Sequence, residues 1–240
     1  MINIIFLKSI YKIKFCWNII MHDTVKNLLK ISENVKANLS TDANLGKIPK
    51  IIAVSKTFKI EQIKPLIDYG HDHYGENKVQ EAQEKWTSVK EKNKNIKLHL
   101  IGRLQSNKVK LALKLFDYIH SLDSKKLADK ISYQLKEQNL NTKFFIQVNI
   151  GDEDQKSGIP KNEILDFYNY CKSLDLNILG LMCIPPIDKD SKYYFEEMSR
   201  LNKELDLKEL SMGMSSDYLN AIENNSTYIR VGSSIFGQRT

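Results

Sequence analysis

A lysine directly after an apolar run is the first residue whose position suggests covalent chemistry. Lys56 ends the run in the segment AVSKT, which begins at residue 53. A lysine at the inner end of a buried strand is unfavourable unless its amine has a partner or a chemical role, because burial disfavours the charged form. A neutral amine attacks aldehydes to form a Schiff base, the way lysine anchors carbonyl cofactors. The alternative is a lysine that reaches solvent from the strand end.

Two segments near the end of the sequence combine glycine with serine hydroxyls, as phosphate-binding loops do. They are SMGMSSD at residues 211–217 and RVGSSIFG at residues 230–237. Backbone N–H groups of such loops, together with the hydroxyls, direct donors at an anion. Barrels of alternating strands and helices bind phosphate after their last two strands. Either segment alone is more often an ordinary turn, and only their joint placement after the last two strands favours a phosphate site.

One arginine in the second of these segments is predicted to point inward. Arg230 alternates with Val231 along the run, so their side chains lie on opposite faces of a strand. A guanidinium inside a barrel needs an acceptor. That acceptor is either a bound ligand or the carboxylate of Glu76 or Asp123.

Metal and hydrolase chemistry find little support in the sequence. His71 and His73 share a face if they lie in a strand, but no third ligand stands at a suitable spacing. His22, His99 and His120 are isolated along the chain. We therefore interpret the histidines as structural or surface residues. The common hydrolase, mononucleotide and dinucleotide motifs do not occur.

The composition is that of one ordinary globular domain. The chain has 240 residues, 42% of them hydrophobic, and a formal charge of +7. Its three cysteines are far apart, which favours a reducing compartment, and we expect a cytoplasmic protein. The lysines are scattered, whereas nucleic-acid binders concentrate basic residues on one face, so we expect no nucleic-acid partner. We also expect a monomer, since no exposed apolar repeat is evident.

The first 20 residues differ from the rest of the chain. They are apolar but interrupted by three lysines, so they cannot span a bilayer, and they lack the features of a secretory signal. We interpret residues 1–20 as an extension from a mis-assigned start, with residues 21–240 as the single domain. The residues after Met21 have the spacing of an amphipathic helix, capped by Asp23 or Thr24.

After that helix, short apolar runs alternate with longer amphipathic stretches. Eight such units predict a (β/α)8 TIM barrel with an added N-terminal helix. An open doubly wound sheet is the rival, but it would scatter reactive residues that a barrel collects at one mouth. The predicted strands occupy residues 50–56, 72–77, 97–103, 118–123, 143–150, 177–185, 209–215 and 228–237. The predicted helices occupy residues 60–69, 79–89, 109–116, 127–137, 161–174 and 193–205. The residues expected at the mouth are Lys56, Glu76, Asn77, Arg103, Asp123, Asn149, Ser215 and Gly232.

Eight short segments stand in the same order as in one known family. They are AVSKT, HYGENKVQEA, HLIGRLQSNK, HSLDS, QVNI with KSGI, GLMCIP, SMGMSSD and IRVGSSIFG. On these segments, from about residue 49 to 239, the chain resembles the YggS/PROSC family, the pyridoxal phosphate homeostasis proteins. The resemblance implies a fold like the N-terminal barrel of alanine racemase. Departures from the family pattern are Asn225, where relatives tend to have glycine, and the 20-residue extension.

The resemblance also assigns roles to individual residues. Lys56 stands where the family's Schiff-base lysine stands, which implies covalently bound pyridoxal 5'-phosphate. Arg230 matches the arginine that faces the pyridine nitrogen. Ser215, Gly232 and Ser233 match the family's phosphate-binding positions, and Asn77 and Met182 match residues that line the cofactor.

These expectations lead to three functional hypotheses. An arginine at the ring nitrogen donates a hydrogen bond and keeps that nitrogen unprotonated, which disfavours aminotransferase and decarboxylase chemistry. The leading hypothesis is a protein that stores and transfers the cofactor, without strong catalysis, to apoenzymes that depend on it. The runner-up is a weak amino-acid racemase, and the third is a regulatory adaptor that senses cofactor occupancy. Lys156 is a candidate for a transient second contact with the aldehyde; its alternative is a solvated loop lysine.

Overall fold

Eight parallel strands close into a barrel, as predicted. The computed structural model describes residues 21–39, 48–153 and 155–238. Each strand pairs with the next along the chain, and the eighth pairs with the first. In chain order, β1 to β8 are Lys50–Val54, His73–Glu76, Lys97–Leu100, Tyr118–Leu122, Lys143–Val148, Ile178–Cys183, Glu209–Ser211 and Tyr228–Val231.

The helices lie between the strands and form an outer layer. Their apolar faces pack on the sheet, and this contact forms the main hydrophobic core. Short 3-10 turns, Ser106–Lys108 and Lys161–Glu163, precede α4 and α6. In chain order, α1 to α9 are Asp23–Ala37, Ile60–Tyr69, Val79–Lys92, Val109–Leu115, Lys125–Gln138, Ile164–Ser173, Ser191–Glu204, Tyr218–Glu223 and Ser233–Phe236.

The added helix α1 is present, but its cap is not the predicted one. His22, and neither Asp23 nor Thr24, occupies the cap position, where its ring nitrogen accepts from the Thr24 N–H at 3.3 Å. The helix packs against the end of the chain through its buried side chains, and the Asn27 amide donates to the Ile235 carbonyl at 3.0 Å. The predicted extension, residues 1–20, lies outside the described residues.

The last third of the chain departs from the predicted elements in three places. The seventh strand, predicted over residues 209–215, ends at Ser211. The prediction extended the final strand through residue 237, whereas β8 ends at Val231 and α9 begins at Ser233. The helix α8 was not predicted, because its six residues are too few to show a helical period. The helix α8 follows the segment at residues 211–217, and α9 lies within the segment at residues 230–237.

The inside of the barrel holds a second, smaller hydrophobic cluster. Its buried members come from five different strands, so it lies inside the sheet and separate from the main core. The cluster consists of Ile52, Tyr118, Phe145, Met182 and Tyr228.

None of the helices in the described ranges is both long and apolar enough to cross a membrane.

Candidate functional site

A cavity of about 350 Å³ opens at the carboxyl end of the barrel, within the size range of small-molecule sites. Residues after β1, β2, β7 and β8 contribute to its wall. The structure therefore brings together four of the eight residues predicted for the mouth, Lys56, Asn77, Ser215 and Gly232. The lining residues are Val54, Lys56, Asn77, Ile101, Ile184, Met214, Ser215, Ser216, Arg230, Gly232 and Ser233.

The backbone on both sides of Lys56 is tightly held. Before it, the Ser55 N–H donates to the Gly75 carbonyl at 3.0 Å. After it, the Thr57 N–H donates to Glu81 Oε1 at 2.7 Å, and Thr57 has a φ of 69°. A positive φ is uncommon for threonine, so the Glu81 carboxylate helps to stabilise this turn. These contacts fix the direction in which the Lys56 side chain leaves the strand.

A buried carboxylate behind Lys56 completes this support. Glu76 Oε1 accepts from Ser55 Oγ at 2.8 Å, Lys85 Nζ at 2.9 Å and Trp86 Nε1 at 2.9 Å. Lys85 also donates to the Ser55 carbonyl at 2.9 Å. Glu76 therefore faces α3 in the helix layer. The prediction that Glu76 lies at the mouth is wrong, because alternation along β2 turns this side chain away from the barrel axis.

The two serine-containing segments meet at one hydroxyl. Ser215 Oγ accepts the N–H groups of Gly232 at 3.3 Å and Ser234 at 3.5 Å. Turns that combine backbone N–H groups with hydroxyls can bind an anion such as a phosphate group. Gly213 is required for the first turn: its φ is 89°, and a Cβ there would lie 2.6 Å from the Ala221 Cβ. The predicted joint placement of the two segments is confirmed.

Arg230 reaches the same cavity from inside the barrel. Its side chain is buried and donates to Ser211 Oγ and to the Cys183 carbonyl, each at 2.8 Å. These contacts use two of its five N–H groups. Burial lowers the pKa of Arg230. The alternative of an ion pair with Glu76 or Asp123 is wrong, because neither carboxylate is among its partners in the described structure.

Three histidines form a hydrogen-bonded chain that ends at the partner of Arg230. His120 Nδ1 lies 2.9 Å from Ser211 Oγ, and His120 Nε2 lies 2.9 Å from His99 Nδ1. His99 Nε2 lies 2.7 Å from His73 Nδ1. The interpretation of His99 and His120 as isolated residues is wrong in space, because both belong to this chain of buried rings. The signal that could have joined them is their placement on three successive strands.

Asn77 lies between this cavity and a second one. Its Oδ1 atom is buried and has no hydrogen-bond partner in the described structure, which fits a site that receives a polar ligand. The second cavity, about 310 Å³, shares Asn77, Ile101 and Ile184 with the first. Arg103 and Asn149, both predicted for the mouth, line the second cavity.

Two further predicted residues lie outside the first cavity. Met182 is fully buried in the cluster inside the barrel, so its contact with a cofactor stays a prediction. Lys156 lines the second cavity, where its Nζ lies 2.5 Å from Glu153 Oε2 and donates to the Pro185 carbonyl at 3.3 Å. Lys156 is thus held by a carboxylate, unlike the solvated loop lysine of the alternative.

Comparison with protein families and curated proteins gives one consistent result. The family described as "Alanine racemase, N-terminal domain" matches residues 31–240. A pyridoxal phosphate homeostasis protein of Pasteurella multocida is 37% identical over 225 residues, covering 89% of this chain and 97% of that protein. A protein of the same name from Aquifex aeolicus is 38% identical over 224 residues, covering 89% and 97%.

Solved structures share the barrel. PipY of Synechococcus elongatus, in a structure with PLP bound, is 30% identical with a TM-score of 0.79, and the match covers 89% of this chain and 100% of PipY. An alanine racemase of Clostridium difficile is 16% identical with a TM-score of 0.66, covering 90% of this chain and 57% of the racemase. The racemase likeness concerns the fold alone.

Proposed function

The chain belongs to the family of the pyridoxal phosphate homeostasis proteins, and on that premise we propose that it binds pyridoxal 5'-phosphate at the mouth of its barrel. Lys56 holds the cofactor as a reversible Schiff base. The protein stores the cofactor and delivers it inside the cell, without strong catalysis of its own. The observation that carries this proposal is one cavity with Lys56, the Ser215 anion site and Arg230 on its wall.

The lining residues fit the chemical groups of this cofactor. When bound, pyridoxal phosphate supplies an aldehyde and an electron-withdrawing ring. The Lys56 amine is the nucleophile for the aldehyde. The N–H groups that converge near Ser215 hold the phosphate, together with the hydroxyl of Ser233 and the backbone of Gly232. Asn77, with its unpartnered buried oxygen, contacts the cofactor from the β2 side.

Arg230 sets the chemical character of the site. A guanidinium only donates hydrogen bonds, so Arg230 holds the ring nitrogen without a proton. A carboxylate at this position would instead favour the protonated ring, which is the stronger electron sink. The choice of arginine therefore disfavours aminotransferase and decarboxylase reactions, which need the stronger electron sink, whereas racemisation can proceed with it.

Reduction with borohydride after loading tests this proposal. We expect a visible absorbance band from the purified protein incubated with pyridoxal phosphate, and a pyridoxyl adduct on Lys56 in the peptide mass spectrum. Lys56→Ala removes both signals, whereas Lys64→Ala on the exposed face of α2 leaves both unchanged. A colourless, unmodified protein after incubation would overturn the proposal.

Delivery needs a separate measurement. The loaded protein is mixed with an apoenzyme that depends on pyridoxal phosphate, and the recovery of that enzyme's activity is followed. The control is free cofactor at the concentration that would dissociate from the loaded protein by itself. If the protein delivers the cofactor directly, the apoenzyme recovers its activity faster with the loaded protein than with this control. Conversion of L- to D-amino acids by the loaded protein, lost in Lys56→Ala, would instead establish the weak racemase. Capture of one partner only when the cofactor is bound would establish the adaptor.

A further inference from the structure

We propose that His120, His99 and His73 act through Ser211 as positioning residues for Arg230. They form a neutral hydrogen-bonded chain with one direction, which runs from the cofactor site to the amino end of the barrel. The geometry of the chain stands independently of any ligand. Its consequence for the ring nitrogen rests on the proposed function.

The direction follows from the donor at the first position. Arg230 only donates, so Ser211 Oγ accepts its N–H at 2.8 Å. The Ser211 hydroxyl hydrogen is then available to donate to His120 Nδ1, 2.9 Å away. In the opposite direction His120 would donate to Ser211, and the hydroxyl hydrogen would have no acceptor among the described residues. A buried donor without an acceptor is unfavourable, so Ser211 donates.

The first bond fixes the proton on each ring in turn. A neutral imidazole has one donor and one acceptor nitrogen, so a His120 ring that accepts at Nδ1 carries its proton on Nε2. His120 therefore donates to His99 Nδ1 at 2.9 Å, and His99 donates to His73 Nδ1 at 2.7 Å. The last proton lies on His73 Nε2, 3.9 Å from Asp72 Oδ1. All three rings thus have the same tautomer.

Burial keeps the rings neutral. His99 and His120 are fully buried, and desolvation holds the pKa of each well below its usual value. The Arg230 charge lowers the pKa of His120 further. Tyr118 stacks on His99 and Phe145 on His120, each with ring centroids 4.3 Å apart, so apolar faces cover both rings.

The end of the chain at His73 meets charges of both signs. Desolvation lowers the pKa of His73 to about 4, and the charges of Lys50 and Lys97 lower it as well, while Asp72 opposes them. The neighbouring His71 donates from Nε2 to the His73 carbonyl, 2.9 Å away. The net result is a neutral His73 at physiological pH.

A neutral chain has a specific advantage over a carboxylate here. It fixes one Nη of Arg230 on Ser211 while the second Nη is fixed on the Cys183 carbonyl. Neither acceptor is charged, so no hydrogen-bonded carboxylate pairs with Arg230 in the described structure. The guanidinium is thus oriented and remains a full cation toward the ring nitrogen.

Nitrogen-15 spectra of the histidine side chains in the full-length, cofactor-free protein test the direction. We expect neutral rings with the proton on Nε2 for His73, His99 and His120 from pH 8 to pH 6. A proton on Nδ1 of any of the three, or a charged ring in that range, would overturn the proposal.

A serine pair provides matched variants for the positioning role. Ser211→Ala removes the link, so we expect His120 to show a mixture of both tautomers and the affinity for pyridoxal phosphate to fall about tenfold, the size of one hydrogen bond to a charged group. Ser211→Thr keeps the hydroxyl and restores both properties. Ser121→Ala removes another buried hydroxyl, one without a partner in the described structure, and leaves both unchanged.

The two proposals fail in different ways. The histidine chain is supported if all three rings carry their proton on Nε2 and if His120 loses this preference in Ser211→Ala. If Lys56 is never modified in the same experiments, the proposed function alone fails. A modified Lys56 together with unchanged affinity in Ser211→Ala overturns the positioning role and leaves the proposed function intact.

Discussion

Two buried polar networks hold the candidate site, and they differ in charge. Behind Lys56, the fully buried Glu76 carboxylate is paired with Lys85 at 2.9 Å, in the layer between β2 and α3. Behind Arg230, inside the barrel, the acceptors are the Ser211 hydroxyl and the Cys183 carbonyl, and neither is charged. We call the first network balanced because its buried carboxylate has a cation partner, Lys85, which also donates to Glu81 at 3.1 Å. We call the second unbalanced because its cation has no charged hydrogen-bond partner in the described structure.

The difference in charge matches a difference in role: the first network supports the strand end that carries Lys56, and the second orients a residue that contacts the ligand. An ion pair buried away from the cavity only has to hold the strand end in place, so its charges can cancel each other. A cation that must act on a ligand loses that ability if a carboxylate of the protein neutralises it. Neutral acceptors orient such a cation without neutralising it, but burial of the charge is then unfavourable. Burial accordingly lowers the pKa of Arg230.

The largest expected effect comes from breaking the balanced network. Lys85→Met leaves the Glu76 carboxylate buried without its cation, so we expect the free energy of unfolding to fall by about 3–5 kcal/mol. Urea titration followed by circular dichroism measures this change. A fall below about 1 kcal/mol would show that Ser55 and Trp86 alone satisfy Glu76.

Removing the unbalanced cation should be less damaging to stability. Arg230→Met leaves two neutral acceptors without a donor and no buried charge, so we expect a fall of less than about 2 kcal/mol by the same titration. The affinity for pyridoxal phosphate, measured by absorbance, falls as well. A stability loss equal to that of Lys85→Met would remove the distinction between the two networks.

Acid should lower the stability of the folded protein through the three histidines linked to Arg230. Their pKa values are lowered in the folded protein, so between about pH 6.5 and the folded pKa, about 4 for His73, the unfolded chain binds more protons. Stability is therefore lost as the pH falls through this range, by up to about 1.4 kcal/mol per pH unit for each ring.

A variant isolates this contribution. His99→Gln removes one titrating ring, so its stability should change less steeply with pH than that of the parent chain, by up to the same 1.4 kcal/mol per pH unit. Unfolding titrations between pH 6.5 and pH 5 give both slopes. Equal slopes would mean that His99 is not kept neutral by burial.

The smallest effect is expected at a surface ion pair, which sets the scale for the others. Lys64 and Asp68 lie 2.7 Å apart on α2, with side chains 66% and 59% exposed. Lys64→Met should change the free energy of unfolding by no more than about 0.5 kcal/mol, because solvent screens an exposed pair. A change as large as that for Lys85→Met would show that burial is not what separates the two pairs.

Much of the fold and part of the site could be predicted from the sequence. The eight strands follow from local runs of apolar residues, and their alternation with helices permits few closed arrangements. Lys56, Ser215 and Gly232 stand at strand ends, so closure of the barrel alone brings them to one mouth. The inward direction of Arg230 follows from strand alternation.

The partners of these residues could not be predicted in the same way. Arg230 was expected to need a ligand or the carboxylate of Glu76 or Asp123, yet the protein gives it Ser211 and Cys183. A choice among acceptors depends on the register between strands and on side-chain reach. Neither quantity is encoded in a local pattern.

The sequence by itself determined the barrel, the lysine after its first strand and the serine turns after its last two, because these depend on residue type and on periods of a few residues. Only the tertiary structure decided that Glu76 faces α3 and that three histidines distant in sequence join into one chain. Hydrogen bonds between strands act over a few ångströms in space at any separation along the chain. The register of the closed sheet sets which side chains meet, and it turns scattered polar residues into two networks with different charge.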